Sequence, residues 1–149
     1  VELVQFLRSV EMFAGLDEEQ LRKLATVFEE RALQANELLF SQGDETDRLY
    51  VVREGFVEII EERQSKKQGT TIVNLGPGQT VGEMTLIDKG KRSASVRAAT
   101  DGTRVVSLSR RDFESLCESD TAIGYQVMRN IAADLSFRLR HRGLDDSRS

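Results

Sequence analysis

Apolar residues along this chain change their spacing twice. Val4, Phe6, Leu7 and Val10 recur at a near-helical interval, which Phe13-Ala14-Gly15-Leu16 then interrupts. Asp17 follows as a helix N-cap with Gln20 three residues on, and Leu21, Leu24, Ala25 and Phe28 form the next apolar face. From about residue 30 the period shortens. Leu33, Leu38 to Phe40, Leu49 to Val52, Phe56 to Ile60, Thr70 to Leu75, Ser95 to Ala99 and Thr103 to Leu108 are short runs rich in β-branched and aromatic residues. Turn signals separate them: Gly43-Asp44, Glu54-Gly55, Lys66-Lys67-Gln68-Gly69, Gly76-Pro77-Gly78 and Asp101-Gly102. Short strands at this spacing predict an antiparallel barrel or sandwich. After Ser109 the helical period returns. Phe113, Leu116 and Cys117 predict a short helix, and Ile123, Val127, Met128, Ile131, Leu135 and Leu139 a longer one ending before Gly143, with Asp145 to Ser149 frayed. The predicted order is helices, an eight-strand-like block, then helices.

Residues 82–97 are the one long interruption between the predicted strands, and long ordered loops on a rigid scaffold are where binding groups concentrate. The segment opens on Gly82-Glu83 and closes on Arg92 followed by Ser93 and Ala94. Glu83 can accept from a sugar hydroxyl. Arg92 can make charge-assisted bonds to a phosphate through its fork of donors. Gly82 lets the backbone approach a ligand closely. A short helical turn from Met84 to Ile87 would add free N–H groups for an anion. Ser93 and Ala94 leave two backbone N–H groups and a hydroxyl accessible. A pocket for a ribose phosphate is the reading; the alternative is a surface ion pair of Arg92 with Glu83 or Asp88.

Size and charge narrow the classes. The 149 residues suit one compact domain, and a formal net charge of −4 makes no global electrostatic case for nucleic acid. No apolar run approaches the ~20 residues that span a bilayer, and no signal peptide is visible, so no membrane insertion and a cytoplasmic location are expected. Cys117 is the only cysteine and His141 the only histidine, which excludes an internal disulfide and a cysteine-held metal cluster. Cys117 is expected to pack as a small hydrophobe, and His141, among Arg138, Arg140 and Arg142, to be solvated.

With these residues in place, the sequence resembles the cyclic nucleotide-binding domain family, to which catabolite activator protein and the protein kinase A regulatory subunits belong. Phe13-Ala14-Gly15-Leu16 with the acidic helix after it, Gly43-Asp44, Leu49-Tyr50-Val51-Val52, Gly55 and Leu75-Gly76-Pro77-Gly78 are similar to that family's landmarks. Val81-Gly82-Glu83-Met84-Thr85-Leu86 and Arg92-Ser93-Ala94-Ser95-Val96 are similar to its phosphate-binding cassette. The resemblance implies an α+β, mainly β fold. Its centre is an eight-stranded antiparallel β-roll (a double-stranded β-helix or jelly roll), with N-terminal helices and two C-terminal helices. It implies one domain over 1–149: helices over 1–28, the roll over 29–109 with the cassette at 81–97, and hinge and lid helices over 110–142.

The resemblance also implies roles. Glu83 would take the ribose 2′-hydroxyl beside the Gly82 backbone, and Arg92 the exocyclic phosphate oxygens. The Ser93 hydroxyl and N–H, with the N–H groups of Ala94 and Thr85, would complete the phosphate cradle, next to Met84. Ile59, Ile72 and Val73 would lie against sugar and base, and Leu135 would cap the base, with Phe137 and Arg138 as further lid residues. Ile59, Ile72 and Val73 would be apolar in any roll, and Leu135 and Phe137 suit a helix–helix seam equally. Val81 replaces a usual aromatic, Lys91 a frequent proline or glutamate, Thr85 a frequent alanine or glycine, and Asp134 a basic base contact. None of these removes a sugar or phosphate ligand. A non-enzymatic sensor for cAMP or cGMP is expected, with no further cofactor and with cAMP favoured by family frequency alone. A homodimer through the C-terminal helix is a possible partner arrangement. The alternatives are the sensor half of a longer transcription regulator or ion channel, and a ligand-free dimerisation domain. Too little chain follows His141 for a helix-turn-helix, so DNA binding is not expected of this sequence.

Overall fold

The structure is a computed structural model and describes residues 2–45, 47–62 and 70–148. The turn expected at Lys66-Lys67-Gln68-Gly69 lies outside the described residues, as does Ser149. The chain divides into two compact units, one formed by residues 1–25 with 114–149, the other by residues 26–113.

The first unit is helical. Helix α1 spans Leu3–Arg8, a 3-10 turn covers Glu11–Phe13, and α2 spans Glu18–Ala25. The expected capping box is present at the head of α2. Gln20 N–H donates to Asp17 Oδ1 at 2.8 Å, and Asp17 N–H donates to Gln20 Oε1 at 2.9 Å. From the C-terminal side come most of α3 (Arg110–Ser119) and α4 (Thr121–Arg148). Leu7, Val10, Phe13, Leu21, Leu24, Ile123, Val127 and Ile131 are buried, the last three each one turn apart on α4. Asn130 ties α4 to the 3-10 turn, its Nδ2 donating to the carbonyls of Met12 and Ala14 at 2.8 Å each. Helix α4 runs through Gly143 to Arg148, beyond the end predicted for it. A glycine costs a helix interior about 1 kcal/mol and need not stop it. Cys117 is half-buried, and a Cβ on Gly124 would sit 2.8 Å from its Sγ, so α3 and α4 pass closely there. Burial pushes the thiol above the usual cysteine range, with Glu114 and Asp120 adding to the effect.

The second unit is the β-roll. Among the described residues its eight strands are β1 Glu29–Leu33, β2 Leu38–Phe40, β3 Arg48–Glu54, β4 Val57–Glu62, β5 Thr70–Leu75, β6 Thr80–Val81, β7 Ser95–Ala98 and β8 Thr103–Ser109. They form two four-stranded sheets, ordered β1-β8-β3-β6 and β2-β7-β4-β5, with every pairing antiparallel. Two features escape the sequence pattern. Strand β6 is only two residues long, too short to show a period. Strand β1 starts four exposed positions before its first buried one, Leu33, so its charged residues read as loop.

Register decides which side chains meet. In the first sheet Val52 faces Val105 on the interior side, while Leu49 faces Leu108 and Val51 faces Val106 on the other side. All six are buried. In the second sheet Val57 and Ile59 lie opposite Ala98 and Val96 on one flank and Leu75 and Val73 on the other. Leu33, Leu39, Val52, Val57, Val81, Val96, Ala98 and Val105 make the core between the sheets, with Phe40, Tyr50, Ile59 and Leu75 packed against it. A register shift in β2 sets Leu38 opposite Arg97 and Phe40 opposite Val96. Strict alternation would send Leu39 and Phe40 to opposite faces; this bulge lets both turn inward.

Candidate functional site

Strand β6 ends at Val81 and delivers the chain to Gly82, which adopts the left-handed conformation (φ 79°, ψ 29°). A 3-10 turn follows over Glu83–Leu86. The Thr85 N–H donates to the Gly82 carbonyl at 3.1 Å, and those of Ile87 and Asp88 donate to Met84 O at 3.0 and 3.1 Å. The Thr85 N–H expected in a phosphate cradle is therefore held within the turn itself. Glu83 is half-buried, Met84 exposed, and Thr85 buried at 2 % exposure. Arg110, the first residue of α3, fastens the turn from outside. Its Nη1 donates to Asp88 O at 3.1 Å and Thr85 O at 3.3 Å, while its own N–H donates to Asp47 O at 2.8 Å.

Arg92 is gripped by the loop between β2 and β3. Its N–H donates to Asp44 O at 2.7 Å, its carbonyl accepts from Gly43 N–H at 2.8 Å, and Lys91 forms a lone antiparallel bridge with Glu45. Gly43-Asp44 read as a turn in the sequence; in the structure that turn is also the support for Arg92. The side chain enters the roll and is 7 % exposed, so it is no solvated surface pair. Nη2 donates to the Arg48 carbonyl at 2.5 Å. The guanidinium carbon lies 4.0 Å from the centre of the Phe40 ring and 5.9 Å from that of Tyr50. A Cβ on Gly82 would collide with Arg92 Nη1, so this position needs glycine for space as well as for φ. Burial pushes the guanidinium below the usual arginine range, against which Tyr50, Asp47 and Asp44 act.

Two buried side-chain atoms have no hydrogen-bond partner among the described residues: Arg92 Nε and Thr85 Oγ1. Both belong to this one segment. Buried polar groups are normally paired, so each of these atoms calls for an explanation. A buried cation with a spare donor has the chemistry to take an anion. Among the described residues no group of three or more His, Cys, Asp or Glu side chains is placed to hold a metal ion. No helix is long and apolar enough to cross a membrane.

Gly82, Glu83, Met84, Thr85, Arg92, Ser93, Ala94, Ile59 and Val73 all belong to the second unit, with Ser93 exposed and Ala94 buried. Val73 shares the interior face with Ile59 yet is 46 % exposed. Ile72 departs from the expectation that it lies against the ligand with them. Paired with Ile60, it lies on the opposite face of the sheet, because side chains alternate along a strand. Leu135, Phe137 and Arg138 belong to the first unit. There Leu135 is half-buried, the exposed Phe137 ring stacks on His141 at 3.8 Å, and Arg138 pairs with Asp134 at 2.9 Å. Phe40, Arg48, Tyr50 and Arg110 were not named as site residues from the sequence. Their contacts join residues far apart in the chain, and each reads locally as ordinary strand or helix.

Comparison with known proteins identifies the family. Residues 30–120 match the cyclic nucleotide-binding domain. The chain is 34 % identical over 134 residues to the cyclic AMP receptor protein of Thermus thermophilus, covering 90 % of this chain and 59 % of that protein. It is 28 % identical over 115 residues to a cGMP-dependent protein kinase of Caenorhabditis briggsae, covering 77 % of this chain and 15 % of the kinase. It thus spans less than two thirds of either relative. Among solved structures, the N-terminal domain of a transcriptional regulator from Streptomyces coelicolor superposes with a TM-score of 0.79 at 30 % identity, covering 97 % of this chain and 95 % of that one. Motif, roll, buried arginine and matched residues converge: the chain belongs to the cyclic nucleotide-binding domain family.

Proposed function

We propose that this domain binds cAMP in preference to cGMP, with Arg92 on the phosphate and Glu83 on the ribose 2′-hydroxyl. The observation that carries the reading is the buried Arg92, whose Nε has no partner while its Nη2 is anchored on Arg48 O. An exocyclic phosphate oxygen supplies the acceptor that this donor lacks. Ser93 and Ala94, directly after Arg92, add their N–H groups to the same anion. Ile59 and Val73 offer apolar surface to sugar and base. The preference for cAMP draws on the similarity to the Thermus receptor, and the kinase similarity makes cGMP the competitor to test. Binding does no chemistry; it biases the C-terminal helix bearing Leu135, Phe137 and Arg138 toward closure over the base. It can do so only as far as the ligand prefers the closed arrangement. Pairing of two copies through α4 belongs to the same reading, on the exposed apolar Phe137 and Leu139, and sedimentation tests it.

Side-by-side calorimetric titration with cAMP, cGMP and a cyclic dinucleotide tests the ligand. Arg92→Ala should cost about 2–5 kcal/mol of binding free energy, because it removes a buried charge-assisted contact. Unchanged affinity in that variant would sink the reading. A wider context is supported by the match to the N-terminal domain of a transcriptional regulator. In that context the domain is the sensor part of a longer regulator, and fusion to an output domain with a ligand-dependent readout tests it.

A further inference from the structure

We infer that Phe40 is a positioning residue for the phosphate anchor: its ring is the shelf that holds the Arg92 guanidinium inside the roll in the orientation a phosphate needs. The inference rests on the reading of Arg92 as the phosphate ligand. Three contacts define the guanidinium's place. Phe40 lies at 4.0 Å from its carbon, the Arg48 carbonyl accepts from Nη2, and the Gly82 backbone leaves Nη1 no room for a Cβ beside it. The Arg48 and Gly82 contacts act at the two terminal nitrogens; only Phe40 offers the cation an extended aromatic surface at this distance, Tyr50 being 5.9 Å away. The ring reaches Arg92 because of the β2 bulge, which turns both Leu39 and Phe40 to the interior. Bulges next to a site commonly re-aim one side chain in this way. Phe40 is itself braced by Tyr50, with ring centres 5.8 Å apart and planes tilted by 32°. A buried arginine with no shelf would sample other rotamers, and the ligand would have to order it at the moment of binding.

The contact makes a distinction that volume alone does not. Phe40→Leu keeps an apolar side chain but removes the aromatic face, whereas Phe40→Tyr keeps the face. The first measurement needs no nucleotide: the Arg92 Nε–H resonance in the protein alone. It should show an aromatic ring-current shift in the wild type, lose it in Phe40→Leu and retain it in Phe40→Tyr. The second is calorimetric titration with cAMP and cGMP. Phe40→Leu should bind about threefold to thirtyfold more weakly, the range a desolvated cation–π contact is worth, and Phe40→Tyr should bind like wild type. In an Arg92→Lys background, Phe40→Leu should have a smaller effect, since the two residues act as a pair. An unshifted Nε–H resonance in the wild type, or equal affinity of wild type and Phe40→Leu, overturns the inference. Wild type that binds neither nucleotide while its Nε–H shift depends on Phe40 overturns the nucleotide reading and leaves the shelf supported.

Discussion

At the scale of single residues the site depends on two neighbours in space that are ten apart in sequence, Gly82 and Arg92. Gly82 is constrained twice, by its positive φ and by the guanidinium against it. Gly82→Ala should therefore destabilise the roll by about 1–3 kcal/mol, from backbone strain and displacement of Arg92. Its nucleotide affinity should fall further than Gly55→Ala lowers it. Gly55 also has a positive φ, and a Cβ there meets Thr103 at 2.6 Å, so its loss strains the roll without touching Arg92. Denaturant midpoints and calorimetry on both variants check this, and equal affinities would deny Gly82 its special place. The pair Gly82 and Arg92 was legible from sequence, since glycine and arginine are residue types whose chemistry points to close approach and to anions. Phe40 was not, because an aromatic in a strand reads first as core.

At the scale of elements, the cassette holds a short 3-10 turn over Glu83–Leu86. The Thr85, Ile87 and Asp88 amides bond within it, and Arg110 adds two bonds from the head of α3 to the carbonyls of Thr85 and Asp88. That places the start of a helix in direct hydrogen-bond contact with this turn. Arg110→Ala should loosen the turn, costing about 1–2 kcal/mol locally. The Ile87 and Asp88 amides, which donate to Met84 O, should then exchange faster with solvent. Hydrogen exchange on wild type and variant measures this, and unchanged protection at those amides would show that the turn stands without Arg110. Pattern reading did well at this scale where an element had a period to show. The capping box at Asp17 and Gln20 and the strands from β2 to β5 are where the sequence put them. It failed where none existed, as in the two-residue β6 and the charged start of β1. It also stopped α4 at Gly143, where glycine's turn propensity competes with a helix that in fact continues to Arg148.

For the whole molecule, binding is expected to appear as stability. A ligand that binds only the folded roll stabilises it by about 2.7 kcal/mol at a free concentration one hundred times its Kd. Melting of the wild type should therefore rise with cAMP concentration, while that of Arg92→Ala should rise far less across the same range. A variant that shifts like wild type would place the ligand elsewhere. The chain spans 59 % of the Thermus receptor.

The sequence by itself determined the succession of helices, a strand-rich block and helices, the family, and the two charged residues on which the proposed site rests. These are local matters: periodicity, capping, turn chemistry, and a motif whose residues stand within one short segment. Only the tertiary structure decided that Ile72 points away from the interior that Ile59 and Val73 share, because strand register is settled by pairing and one step reverses the face. It also decided that Arg92 is buried, with Nε unpartnered. The arginine's support comes from Phe40, the Gly43-Asp44 turn and the Arg48 carbonyl, which antiparallel pairing brings to it from distant parts of the chain.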